Sequence, residues 1–182
     1  MTTTSHMVPS REGTRLPNDL SLYIGKKTLV KFILEAIEEM NLPSVNRENS
    51  EPVDTVLAPV MMLTLLTYCY ATGVYSAMDI ELGIASDQMI RYLCARNYPD
   101  IFEIGLFRRY NRARITQCLM AVLRRVWELR FCGEDAEPIR GVACFASLPA
   151  RWTDPNLPPD FQCEAEQRIA RAVRADSMTL DV

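Results

Sequence analysis

The chain has 182 residues, of which 48% are hydrophobic and 24% charged; this suits one ordinary domain and argues against both wholesale disorder and a membrane protein. The net charge of -3 is unevenly spread, since residues 1–90 hold six bases and eleven acids, residues 91–130 nine and three, and residues 131–182 five and nine. The middle segment is a basic island whose bases are all arginine, the residue whose rigid donor fork suits phosphate or carboxylate.

Taken in order, residues 1–18 are polar and broken by Pro9, Gly13 and Pro17, which predicts a flexible arm. They lack the basic and apolar regions of a secretory signal, so a cytoplasmic protein is the expectation. From Lys26 to Met40, Leu29, Val30, Phe32, Ile33, Leu34, Ala36, Ile37 and Met40 recur at helical spacing, and Lys31 and Glu35 are placed to pair across one turn. Asn41 to Asp54, with Pro43 and Pro52, reads as an exposed loop. A second helix is predicted from Ala58 or Pro59 to Ala71 or Thr72, stopped by Gly73. Met61, Met62, Leu63, Leu65, Leu66, Tyr68, Cys69 and Tyr70 leave that helix little polar surface, which makes it the centre of a bundle. Its apolar run approaches the length of a membrane span, but Pro59, the threonines, Gly73 and acidic flanks point to a buried helix with no membrane partner.

Ser76 with Asp79 predicts the capped start of a short helix reaching Leu82 or Gly83, and Ser86 with Asp87 caps another carrying Met89, Ile90, Leu93 and Cys94. Asn97 and Pro99 break the chain, and Asp100 with Glu103 forms a third capping pair before Ile104, Leu106 and Phe107. Then comes an arginine corner, F-R-R-Y-N-R-A-R at Phe107 to Arg114. Asn111 is placed to cap the long helix that follows. In that helix Ile115, Cys118, Leu119, Val122, Leu123, Val126 and Leu129 form one apolar face ending near Phe131, with Gly133 as the stop. Residues 134–159 hold five prolines and read as an irregular wrap or linker, with a short extended piece at Val142 to Ala146. Asp160 caps a last helix to about Ala175, with a weak stripe of Phe161, Ala165, Ile169, Ala172 and Val173. The fold expected is all-α, a helical bundle of about five to seven helices with a Pro-rich C-terminal segment, divided as arm 1–18, bundle 19–133 and tail 134–182.

Six cysteines at 69, 94, 118, 132, 144 and 163 are widely spaced and form no C-x-x-C pair, so they read as reduced core residues, and the lone His6 supplies no zinc site. With seven glycines there is little material for a phosphate-cradling loop, and no G-x-S-x-G or Cys–His arrangement occurs. The expectation is therefore no catalytic residue, no metal and no cofactor. The residues that point to function are Arg108, Arg109, Tyr110, Asn111, Arg112 and Arg114, where a helix junction gathers donors suited to the phosphates of double-stranded DNA. The opposing reading pairs these arginines with acids of the flanking segments, holding the tail against the bundle.

The order of motifs resembles the N-terminal domain of bacterial insertion-sequence DDE transposases. Pro59, Tyr70, Gly73, Ser76, Pro99, Asp100, Phe107, Arg108 and Arg109 carry the resemblance, which spans roughly Lys26 to Phe131. Ala77, Met78 and Asp79 stand where that family tends to have an arginine pair, and Tyr110 and Asn111 where it tends to have a histidine. The residues after Phe131 are too few for the family's RNase H-like catalytic unit. The resemblance thus implies a DNA-binding or dimerisation module connected with DNA transposition, with a homodimer or a full-length transposase as partner and no catalysis of its own. The alternative reading is a protein-interaction or regulatory role, a dimer or a partner of a full-length transposase built on the long helix and the C-terminal helix, with the arginine corner structural.

Overall fold

The apolar segment around Pro59 becomes the axis about which the other helices are arranged. The computed structural model describes residues 16–40, 54–131 and 158–179, and within them it is all-α, with eight helices. These are α1 (Ser21–Ile24), α2 (Lys26–Glu39), α3 (Asp54–Thr72), α4 (Ala77–Ser86), α5 (Gln88–Leu93), α6 (Ile101–Tyr110), α7 (Arg112–Phe131) and α8 (Phe161–Thr179). The expected loop at Asn41 to Asp54 lies, but for Asp54 itself, outside the described residues, as do the Pro-rich stretch up to Leu157, the extended piece at Val142 to Ala146, His6, Cys132 and Cys144.

Every residue of α3 from Met61 to Ala71 is buried, as a helix without a polar face requires. It begins at Asp54, so Pro59 lies inside the helix rather than in its first turn. Proline removes its own N–H bond and crowds the carbonyl four residues earlier, but it did not mark the start here. α7 packs against α2, α3 and α8, and α2 also packs on α3. Among the described residues no single helix is long and apolar enough to cross a membrane; the stretch from Pro59 to Thr72 meets that measure only together with α4, and the two are bent by 97°.

Local chemistry sets most of the boundaries. The Ser76 hydroxyl accepts from Asp79 N–H at 2.9 Å, and the Asp87 carboxylate from Met89 N–H at 2.6 Å and Ile90 N–H at 3.3 Å. Burial pushes the Asp87 carboxyl up, but the bonds from Lys26, Met89 and Ile90 outweigh it and leave it below its usual range. Asp100 and Glu103 close the reciprocal capping box at the start of α6, and Asp160 accepts from Cys163 N–H at 3.0 Å at the start of α8. At the end of α3, Gly73 takes φ +85°, which lets Val74 N–H bond back to Cys69 O at 2.8 Å.

Several expectations need correction. Leu16 and Pro17 are buried, so the arm does not extend to residue 18. The one-turn α1 is organised by Asp19, whose carboxylate accepts from Ser21 N–H at 2.9 Å and from its hydroxyl at 2.7 Å. In α7 the buried face turns toward Trp127, while Leu129 is exposed, because apolar spacing fixes a stripe but not where the neighbouring helices meet it. Cys69, Cys94 and Cys118 are buried free thiols, whereas Cys163 is exposed.

α8, within the tail segment 134–182, packs against the bundle. Its inner face includes Glu164, Ala165, Arg168, Ile169 and Ala172, while Val173 points outward. Arg168 is fully buried. Its guanidinium donates to Glu164 Oε1 at 2.9 Å, Asn18 O at 2.9 Å and Tyr70 O at 2.8 Å, and also to Pro17 O. Leu20 N–H bonds Ala71 O at 3.0 Å. The last carbonyls of α3, which have no partner within their own helix, are thus satisfied by a side chain from α8 and a backbone amide from the N-terminal segment. This tie is why Leu16 and Pro17 are held in the core.

Candidate nucleic-acid interface

The junction of α6 and α7 is a one-residue break at Asn111. Its side-chain amide donates to Phe107 O at 3.1 Å, and its side-chain oxygen accepts from Arg114 Nη1 at 3.2 Å. The backbone carbonyl of Asn111 also receives Ile115 N–H at 3.0 Å, starting α7. Asn111 therefore builds the corner, and both ends of its side chain are engaged.

Of the six residues expected at the interface, Arg108 is turned the other way. It is 7% exposed and donates to Tyr70 Oη at 3.2 Å and to the carboxylate of Asp176 on α8. Asp176 also accepts from Ala77 N–H at 2.7 Å, so one carboxylate caps α4 and anchors α6. Burial works against the charge on Arg108, but Tyr70 and Asp176 outweigh it and hold its pKa above the ordinary value. The reason lies in helical period: Arg108 follows Ile104 by four residues and shares its inward face. Arg108 is withdrawn from the set of exposed donors.

Arg109, Tyr110, Arg112 and Arg114 are exposed. Among the described residues, Arg109, Arg112 and Arg114 make no ion pair. Between Ile104 and Trp127 the sequence contains no acid. Further along α7 the arginines have other roles: Arg125 pairs with Glu35 and Glu39 of α2, and Arg124 lies over the Phe161 ring with 5.8 Å to its centroid. Lys27, Arg96 and Arg174 are also exposed without an ion pair among the described residues, but each stands apart, whereas the corner brings three such arginines together.

Beside the corner lies an open groove of about 300 Å3, walled by Met61 and Met62 of α3, Asn97 and Pro99 of the α5–α6 turn, and Glu103, Leu106, Phe107 and Tyr110 of α6. The turn is sharp, with Ala95 and Arg96 both left-handed at φ 48° and 72°, a conformation costing roughly 1–2 kcal/mol for a residue with a side chain. The outward face of α6 is the feature that sequence reasoning missed. Phe102 is 74% exposed, Leu106 41% and Tyr110 75%. They recur every four residues, opposite Ile104 and Arg108, and that spacing was the available signal.

The apolar faces of α7 and α8, on which a dimer was expected, are packed within the bundle itself. No group of three or more His, Cys, Asp or Glu side chains suited to a metal ion occurs among the described residues. No protein-family model, no curated protein and no solved structure matches the chain.

Proposed function

We propose that this chain is a DNA-binding module that holds backbone phosphates at the α6–α7 corner through Arg109, Arg112 and Arg114, with Tyr110 as a further hydrogen-bond donor and with no catalysis of its own. The observation that carries the reading is three neighbouring exposed arginines that make no ion pair among the described residues. Elsewhere in the molecule the half-buried Arg125 finds carboxylates on Glu35 and Glu39, and the buried Arg108 finds Asp176. Guanidinium forks left without a carboxylate suit phosphate oxygens, which they can engage two bonds at a time. A role like that of a transposase N-terminal domain, in the cytoplasm, belongs to the same proposal.

The test is a fluorescence-anisotropy titration of the full chain with short duplex DNA across a range of salt. Three phosphate contacts predict a log–log slope of about -3, and each of Arg109→Ala, Arg112→Ala and Arg114→Ala should lower its magnitude by about one. Absence of binding to both duplex and single-stranded DNA at low salt, or a slope unchanged by all three substitutions, removes the proposal. A second reading, a protein-interaction module in which the chain pairs with itself or with a transposase, is favoured by the exposed apolar side of α6. Light scattering of the wild type and of Leu106→Ser separates it from the first.

A further inference from the structure

We infer that the outward face of α6 is a stacking platform for the bases of an unpaired nucleic-acid strand, whose phosphates run over Arg109, Arg112 and Arg114. This rests on the phosphate-binding reading above and adds to it the form of the strand. Two observations meet here. The rings of Phe102 and Tyr110 are 74% and 75% exposed and, unlike the exposed rings of Tyr92 and Tyr98, share one face of a helix with Leu106 and Arg109. The same face carries Arg109, one turn beyond Leu106 and adjacent in sequence to Tyr110, and α6 leads through Asn111 directly into Arg112 and Arg114.

Charge selects the occupant. Aromatic rings interleaved with arginines suit a ligand that is anionic along its length and offers flat faces at intervals, which is the chemistry of a single strand. A purely apolar partner would leave Arg109 facing it without a counter-charge. The one acid of α6, Glu103, already accepts from Asp100 N–H at 3.1 Å in the capping box. Spacing selects the form of the strand. Phe102 and Tyr110 are eight residues apart, hence about 12 Å along the helix. Bases in a duplex are stacked about 3.4 Å apart with their faces covered, so two such separated rings engage bases only where the strand is splayed. Leu106 between them, at the rim of the groove, offers apolar cover to the intervening sugar or base.

The experiment is anisotropy of the full chain at one low salt concentration with four labelled probes: oligo-dT of about 16 nucleotides, an abasic strand of the same length, oligo-U, and a duplex. The expected result is tighter binding of oligo-dT than of the abasic strand or the duplex. Phe102→Ala should weaken oligo-dT binding about ten-fold while leaving the abasic strand unaffected, and Tyr110→Ala, which also removes a phosphate donor, should weaken oligo-dT more than the abasic strand. Arg112→Ala should weaken both. Tighter binding of oligo-U than of oligo-dT also supports the platform and assigns the strand as RNA. Equal affinity for oligo-dT and the abasic strand overturns the platform while the phosphate reading stands; no binding of any probe overturns both. Sedimentation completes the test: if the wild type is a dimer that Phe102→Ser converts to monomer, the face covers a second copy of the chain and the inference fails. Both rings are exposed, so circular-dichroism melting should show every variant folded.

Discussion

Arg168 and the trio Arg109, Arg112 and Arg114 are the same residue type in helices of one bundle, yet they stand at opposite extremes. Arg168 is 0% exposed and bonded to Glu164 and to backbone carbonyls of two other segments, whereas the trio is exposed with no ion pair among the described residues. Arg108 belongs to the trio by sequence and to Arg168 by structure. The difference teaches that the partner decides an arginine's role. A buried guanidinium is tolerable because its charge is matched and its N–H groups are bonded. An exposed guanidinium stays hydrated and remains available to a ligand.

If Arg168 is the tie that holds three segments together, removing it should be the most damaging change. Arg168→Ala leaves Glu164 buried without its counter-ion and Tyr70 O without its donor, and it should cost about 3–5 kcal/mol, read as a fall in the urea midpoint. Glu164→Gln should cost less than half of that, because the carbonyl acceptors of Arg168 remain. A loss below about 1 kcal/mol for Arg168→Ala would place Arg168 with ordinary surface arginines and end the comparison.

Arg108 lies between the extremes, and Asp176 decides which side it is on. Asp176→Ala removes both the cap at Ala77 N–H and the partner of a guanidinium whose side chain is 8% exposed. About 2–3 kcal/mol of stability should be lost. The salt slope of DNA binding should not change. A steeper slope in this variant would mean that Arg108, once released, reaches phosphate.

These outcomes bear on how far the sequence could be read. Helix spacing placed α2, α7 and the centre of α3, and the pairs Ser76–Asp79 and Asp100–Glu103 placed two helix starts, since all of these are interactions within one or two turns. Glu164 and Arg168 are the residues that such local logic passes over. They are four residues apart and look like a solvated surface pair, but Arg168 follows Ala165 by three residues and precedes Ala172 by four, which sets it on the inner face. Its acceptors Tyr70 and Pro17 are 98 and 151 residues away, beyond the reach of any local pattern. At the corner, sequence supplied the cluster and its junction. It did not separate Arg108 from Arg109, because one residue of rotation about a helix is enough to move a side chain from solvent to core.

Alkaline pH separates the two regions without mutation. Burial pushes the Cys94 and Cys118 thiols up to about 11 and the Tyr70 phenol up to about 12, the latter partly opposed by Arg108. Folded pKa values above the unfolded ones mean that the folded chain holds more protons in this range, so stability is complete below the unfolded values and falls as pH rises through the folded ones. The window opens near pH 9, where unfolded thiols ionise, and runs through the alkaline range, since burial raises Cys69 and Tyr68 further still. Urea midpoints should be level between about pH 7 and 8 and decline by pH 10, with a shallower decline in Cys94→Ala/Cys118→Ala. DNA affinity should stay level up to pH 9, because guanidinium charge does not titrate there.

The smallest effect is expected where the charge is densest. Arg109→Ala/Arg112→Ala/Arg114→Ala removes three positive charges from a corner that Asn111 shapes through Phe107 O and the start of α7. Among the described residues only the Arg114–Asn111 bond at 3.2 Å is lost with them, and it is exposed. Arg112 and Arg114 also occupy the first turn of α7, where positive charge opposes the helix dipole, so their removal relieves a repulsion of a few tenths of a kcal/mol. The triple variant should therefore match the wild type in urea midpoint to within about 0.5 kcal/mol, or slightly exceed it, while losing its affinity for DNA. A large loss of stability would show that the trio is as structural as Arg168, and the contrast between the two regions would disappear.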